Sequence, residues 1–223
     1  LLGLAACGDD GSGGGGAAIP DASAAPSTVA TATSGSTAGA GGAAFEHTRL
    51  MTWNLEDFPK SSATISAIKE ITDAHAPDVV ALQELSDQAD FDALLGALPG
   101  YTGLLAMSGD GFVRVGALYR PDRVDLADAQ MVFTEDDYAV PRPMLAFRVT
   151  PVDRPEQDFA LGIVHLKAQL DAESTDRRRQ ACIRLDQWVP IAQATLDEDV
   201  VIAGGFNDQL LDPQPWNVFG PLL

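Results

Sequence analysis

Four apolar stretches of this chain each close on a polar side chain, and that repeated ending restricts its fold more than any other feature. Arg49-Leu50-Met51-Thr52-Trp53-Asn54 reads as a strand ending at Asn54. Asp78-Val79-Val80-Ala81-Leu82-Gln83 is β-branched and mostly apolar, so it is expected to be buried on both faces, with Glu84 at its end. Phe159 to His165 is a third such strand, and Val200-Val201-Ile202-Ala203 runs into Gly204-Gly205-Phe206-Asn207-Asp208. Val113 to Tyr119 and Met144 to Val149 add two more strands. Helical patterns lie between them. Ser61 or Ser62 is placed to cap a helix running to about Ala74, with Ile65, Ile68 and Ile71 at helical spacing. Phe91 to Leu98 suggests a short helix. Arg177 to Leu196 reads as a longer one that Pro190 should kink or split. Such an order of elements implies a layered α/β fold, in which sites gather where strand ends converge.

The stretch before this domain has another character. Residues 8–44 are rich in Gly, Ala, Ser and Thr with no apolar period, and they read as a disordered spacer that spans on the order of 35 Å. Residues 1–7, Leu1-Leu2-Gly3-Leu4-Ala5-Ala6-Cys7, are apolar but too short to cross a membrane. Small residues before a cysteine resemble a bacterial lipobox, which implies lipidation at Cys7 and a lipid-anchored, extracytoplasmic place in the bacterial cell envelope. The folded domain is then expected over roughly residues 45–223. Cys7 and Cys182 are far apart and lie in unlike segments, so no disulfide framework is expected.

Charge narrows the partners. The formal net charge is -18, from 32 acidic and 14 basic residues, and such a surface repels polyanions. Tight binding of duplex DNA is not expected, although a bound divalent cation can reverse the field locally. Arg177-Arg178-Arg179 is the one basic run, and it reads as a solvated helix face that can pair with carboxylates. A monomer is expected.

The residue types at the strand ends suit one chemistry. Glu84 is a hard oxygen ligand for Mg²⁺, Mn²⁺ or Ca²⁺. An isolated carboxylate closing an apolar strand has little structural use, because burying it is costly. Asn54 and Asn207 can orient a phosphate oxygen, a water or a metal, though a strand-end Asn alone is more often a turn residue. His165 can donate to a phosphoryl oxygen as charge develops, though one histidine alone is more often a satisfied core group. Asp57 and Asp208 are weaker candidates, and His47 and His75 read as surface residues. No zinc spacing, Gly-X-Ser-X-Gly elbow or P-loop is present.

Taken in order, these segments resemble the endonuclease/exonuclease/phosphatase superfamily. Thr52-Trp53-Asn54-Leu55-Glu56-Asp57 looks like its first motif, and Val80-Ala81-Leu82-Gln83-Glu84 like its metal-binding glutamate strand. Gly162-Ile163-Val164-His165-Leu166-Lys167 is similar to its histidine strand. Arg178 and Gln180 open a helix like the one that usually follows, and Val201 to Asp208 looks like the Gly-Asp-Phe-Asn-Asp segment. The resemblance implies a four-layer αββα sandwich, a Mg²⁺-type cofactor and phosphoester hydrolysis. It places metal binding on Glu84 and Asn54 and catalysis on His165 and Asn207. Arg142 and Lys167 are candidates for meeting substrate phosphate.

Two departures accompany the resemblance. The family aspartate that orients the attacking water falls on Gly205, and losing a positioned acid or base typically costs about 10²–10⁴-fold in rate. No histidine follows His165, where the family carries a Ser-Asp-His segment, and Pro213-Gln214-Pro215-Trp216 reads as loop. The domain is therefore expected to be incomplete at its C-terminal end, with its last strand left as an open edge. Two functions are open at this point: a phosphoester hydrolase weakened by Gly205, or a lipid-anchored pseudoenzyme that binds a phosphorylated ligand or a protein.

Overall fold

The computed structural model describes residues 28–33, 47–107, 114–213 and 215–223. In chain order these hold β1 (Thr28–Thr33), β2 (Leu50–Phe58), α1 (Thr64–His75), β3 (Val79–Leu85), α2 (Gln88–Ala97), β4 (Thr102–Met107), β5 (Arg114–Tyr119), β6 (Val124–Val132), β7 (Met144–Pro151), β8 (Phe159–His165), α3 (Ala172–Thr195) and β9 (Val200–Gly205). One sheet has the order β1-β4-β5-β3-β2 and the other β6-β7-β8-β9. β2 runs parallel to β3, and β8 parallel to β9; Glu84 and His165 lie at the ends of β3 and β8 as expected, whereas β2 does not end at Asn54 but continues to Phe58, and Asn207 follows β9.

Alternation along the strands builds the layers. Val79, Ala81 and Ala117 of the first sheet meet Leu145, Phe147, Leu161 and Ile163 of the second in the central layer. The other faces turn outward: Val80 and Leu82 pack with Phe91 and Leu94 of α2, while Ala160 and Val164 pack with Ala181, Leu185 and Trp188 of α3. Two face-to-face sheets between helices form the expected αββα sandwich, and β3 is buried on both faces as its composition required. Cys182 is free and buried, and burial pushes its thiol up to about 12.

Several local expectations are corrected. The spacer read over residues 8–44 is not unstructured throughout, since Thr28–Thr33 pairs antiparallel with β4 as an edge strand. Its Thr-Val-Ala-Thr-Ala-Thr sequence is rich in β-branched residues, which favour strands. Cys7 and the lipobox lie outside the described residues. α1 starts at Thr64 without a side-chain cap, and the Ser61 N–H donates to Thr64 Oγ1 instead. α3 starts five residues earlier than expected, capped by Asp171, which accepts from the Ser174 N–H at 2.9 Å. Pro190 does not split it. Pro190 and Asp186 both face solvent, so the carbonyl that loses its donor lies on the wet side of the helix. β4 and β6 were not anticipated: β4 contains Gly103, and β6 is interrupted by charges, so neither shows a clean period.

Candidate active site

The site is built by irregularities at the ends of regular strands. Between the Asn54–Gln83 and Phe58–Leu85 pairs, Leu55, Glu56 and Asp57 of β2 stand opposite Glu84 alone. This bulge puts Glu84 in the left-handed region, at φ 63°, along with Glu56 and Asp57. A non-glycine residue held there is strained, and such strain concentrates at functional positions. The twist turns the Glu84 carboxylate to the sheet end. There Oε1 accepts from Asn54 Nδ2 at 2.8 Å, and Oε2 accepts from the Asp57 N–H at 2.9 Å. Asn54 is fixed in turn, because its Oδ1 accepts from the Glu56 N–H at 2.9 Å.

The second sheet supplies His165. Its Nε2 lies 3.6 Å from Glu84 Oε1, although the two residues belong to different sheets. The imidazole is buried, its Nδ1 has no hydrogen-bond partner, and burial aided by the Arg142 charge pulls its pKa down to about 3. It is therefore neutral at physiological pH. The Arg142 guanidinium lies beneath, donating from Nη1 to the carbonyls of His165 at 3.2 Å and Leu166 at 3.0 Å. Burial lowers its pKa, and the Glu84 charge opposes that shift.

β9 completes the floor. His165 stands beside Gly205 in the parallel register. Gly204 has φ 135°, and a Cβ there would fall 1.9 Å from the Val164 carbonyl oxygen, so no other residue fits. Gly205 has no such backbone demand, but a Cβ would come 3.0 Å from His165 Cδ2, and the ring would have to give slightly. Asn207, at φ 54°, donates from Nδ2 to the Leu166 carbonyl at 2.8 Å. Asn54, Glu84, His165 and Gly205 are thus brought together, and Asn207 is joined to them through Leu166. Lys167 sits on the rim, half-buried, with its carbonyl engaged by Arg178.

The arginine run is not a solvated face. Arg178 is 2% exposed and donates from Nε to Asp208 Oδ2 at 2.7 Å and from Nη1 to the carbonyls of Lys167 and Gln169. Arg177 donates to the carbonyls of Tyr138 and Asp137, and Arg179 to that of Pro215. Three adjacent side chains therefore tie down the loops around the site. The expected pairing with a carboxylate is met by Arg178 and Asp208, whereas the bonds to loop carbonyls carried no signal in the sequence.

A divalent ion is testable against these residues. Glu84 offers a hard carboxylate at a sheet end with 19% of its side chain exposed, and Asn54 offers an amide beside it. Among the described residues no group of three or more His, Cys, Asp or Glu side chains could enclose an ion. The donor set fits an ion of the Mg²⁺ kind, which takes one or two carboxylates and keeps waters and substrate oxygens for the rest.

The profile of the endonuclease/exonuclease/phosphatase family matches residues 51–221, and the chain belongs to that family. Solved structures share its fold at low identity. A humanised D. rerio TDP2 is 21% identical, over 72% of this chain and 66% of that one, with a TM-score of 0.57. A mannosyl-6-phosphatase from Bacteroides thetaiotaomicron is 15% identical, over 78% and 70% of the two chains, with a TM-score of 0.60. The human Nocturnin catalytic domain, with bound sulfate, is 22% identical, over 74% and 65%, with a TM-score of 0.57. The chain thus spans less than two thirds of the TDP2 and Nocturnin chains it matches. No curated protein matches it in sequence.

Proposed function

We propose that this protein is a metal-dependent phosphoester hydrolase of the nuclease or phosphatase type, slowed by glycine at position 205. The observation that carries the reading is the meeting of Asn54, Glu84 and His165 from three strands and two sheets, with Glu84 Oε1 2.8 Å from Asn54 Nδ2 and 3.6 Å from His165 Nε2. Glu84, oriented by Asn54, would hold Mg²⁺, Mn²⁺ or Ca²⁺; such an ion, when bound, polarises a phosphoryl group and steadies a leaving oxygen. Neutral His165 carries a ring N–H that can donate to a phosphoryl oxygen as charge builds up in the transition state. Asn207 would place the water or the phosphate, with Arg142 and Lys167 adding positive charge nearby. Structures that share this fold include a mannosyl-6-phosphatase and a D. rerio TDP2 complexed with a single-strand DNA product. The net charge of -18 favours small or lipid phosphoesters over long duplex DNA. The reading also places the protein as a monomer outside the cytoplasm, held by a lipid on Cys7.

The test is hydrolysis of bis-(p-nitrophenyl) phosphate with Mg²⁺ or Mn²⁺ by the chain, by Gly205→Asp and by Glu84→Gln in the Gly205→Asp background. Slow metal-dependent turnover is expected from the chain, a rise of about 10²–10⁴-fold from Gly205→Asp, and loss of that rise with Glu84→Gln. One specific observation favours the second reading, a lipid-anchored pseudoenzyme that binds a phosphorylated ligand or a protein. A Cβ at position 205 would come 3.0 Å from His165 Cδ2, so the ring packs close against a residue that has no side chain. Metal-dependent phosphate binding without turnover in any of the three proteins would establish that reading and overturn the first.

A further inference from the structure

We propose that the loops around the candidate site form a docking surface for a zwitterionic phospholipid bilayer. The proposal rests on three side chains: Leu170 is 91% exposed, Leu211 92% and Trp216 66%. Scattered exposed leucines are ordinary on a protein surface. These three are not scattered, because they lie on loops that leave the same end of the sandwich. Leu170 follows β8 and Leu211 follows β9, two parallel strands, and Trp216 shares a loop with Leu211.

The backbone holds both leucines outward. Leu170 stands between Gln169, whose carbonyl accepts from Arg178 at 2.6 Å, and Asp171, which caps α3 by accepting from Ser174. Leu211 stands between Leu210 and Asp212, whose carbonyls accept from Asn217 Nδ2 at 2.8 and 3.1 Å. Arg179 ties the same loop to α3 through the Pro215 carbonyl at 2.8 Å. A loop pinned on both sides of an apolar residue cannot turn that residue inward. The apolar area stays in water until a partner covers it, and ordering it in advance lowers the entropy lost on docking.

Charge selects the partner. With a net charge of -18 the protein is repelled by anionic lipid, while a zwitterionic headgroup presents its cationic end outermost and its phosphodiester just beneath. Tryptophan prefers that interfacial depth, and leucine the acyl boundary below it. The strand-end site would then face the layer of phosphodiesters. That orientation rests on the function proposed above, but the docking does not.

The experiment is flotation of the full chain carrying Cys7→Ser, so that no acyl chain contributes, with vesicles of phosphatidylcholine alone or mixed with phosphatidylglycerol. Binding to the first and weaker binding to the second are expected. The variant Leu170→Ser/Leu211→Ser/Trp216→Ser should lose roughly tenfold or more in partitioning. Ile191→Ser, an exposed apolar residue farther along α3, should bind unchanged. Equal binding by the triple variant, or none by the parent, overturns the proposal. So does concentration-dependent self-association that the triple variant abolishes without vesicles, which would make the surface a contact between copies. No turnover enters these readouts, so an inactive site leaves them unaffected, and a failed flotation leaves the hydrolysis test standing.

Discussion

β3 carries a carboxylate at each end, and the two are treated in opposite ways. Asp78, at its start, is saturated. Its Oδ1 accepts from Arg123 Nε at 3.1 Å and its Oδ2 from the Arg49 N–H at 2.9 Å. Arg123 also reaches Asp153, and the Tyr101 hydroxyl donates to the adjoining Pro77 carbonyl at 2.7 Å. Asp78 itself lies outside the left-handed region, which Ala76 adopts two residues earlier where α1 ends. Glu84, at the other end, sits at φ 63° on a bulge, partly open to solvent, beside a histidine with one unpartnered nitrogen. One end of the sandwich satisfies its charges and contributes stability. The other, among the described residues, leaves Glu84 without an arginine or lysine salt-bridge partner and His165 Nδ1 without a hydrogen bond, and such groups are what a ligand can complete.

The contrast can be broken from either side. The largest effect is expected at the saturated end: Arg123→Ala strands Asp78 in a buried position and should cost about 3–5 kcal/mol in thermal or denaturant unfolding. Its phosphoester turnover below the melt should match that of the parent. At the open end, Asn54→Ala removes the group that orients Glu84. It should raise the metal concentration needed for half-activation, or for half-maximal metal binding, by about 10–100-fold. Its loss of stability should be smaller than that of the Arg123 variant. Equal unfolding costs at the two ends would remove the distinction.

A third test uses pH. The folded protein holds His165 neutral down to about 3, whereas the unfolded chain protonates it near 6.5. Between those values the unfolded state binds more protons, so stability falls as pH drops from about 6.5 towards about 3, by up to about 1.4 kcal/mol per pH unit from this group. The difference in stability between the parent and His165→Gln should show that slope and flatten above about pH 7. The smallest effect concerns Cys182. Its thiol, pushed up to about 12 by burial, should be inert to a disulfide reagent in a folded Cys7→Ser background and react only with denaturant.

Much of this was legible in one dimension. The β-branched run Val79–Leu82 had to be a fully buried strand, and four apolar runs closing on Asn54, Glu84, His165 and Asn207 had to converge somewhere, because period and polarity are local properties of a sequence. The αββα sandwich itself was expected from the family resemblance, and in the fold alternate side chains of the strands face the central and outer layers. Three-dimensional packing decided the rest. Gly204 and Gly205 are the same letter, yet only Gly204 is demanded by the backbone, a fact set by its distance from a carbonyl on the neighbouring strand. The Arg177–Arg179 run looked like a wet helix face. Its role as a clamp depends on carbonyls from 9 to 40 positions away in the chain, and only folding brings them within hydrogen-bond reach.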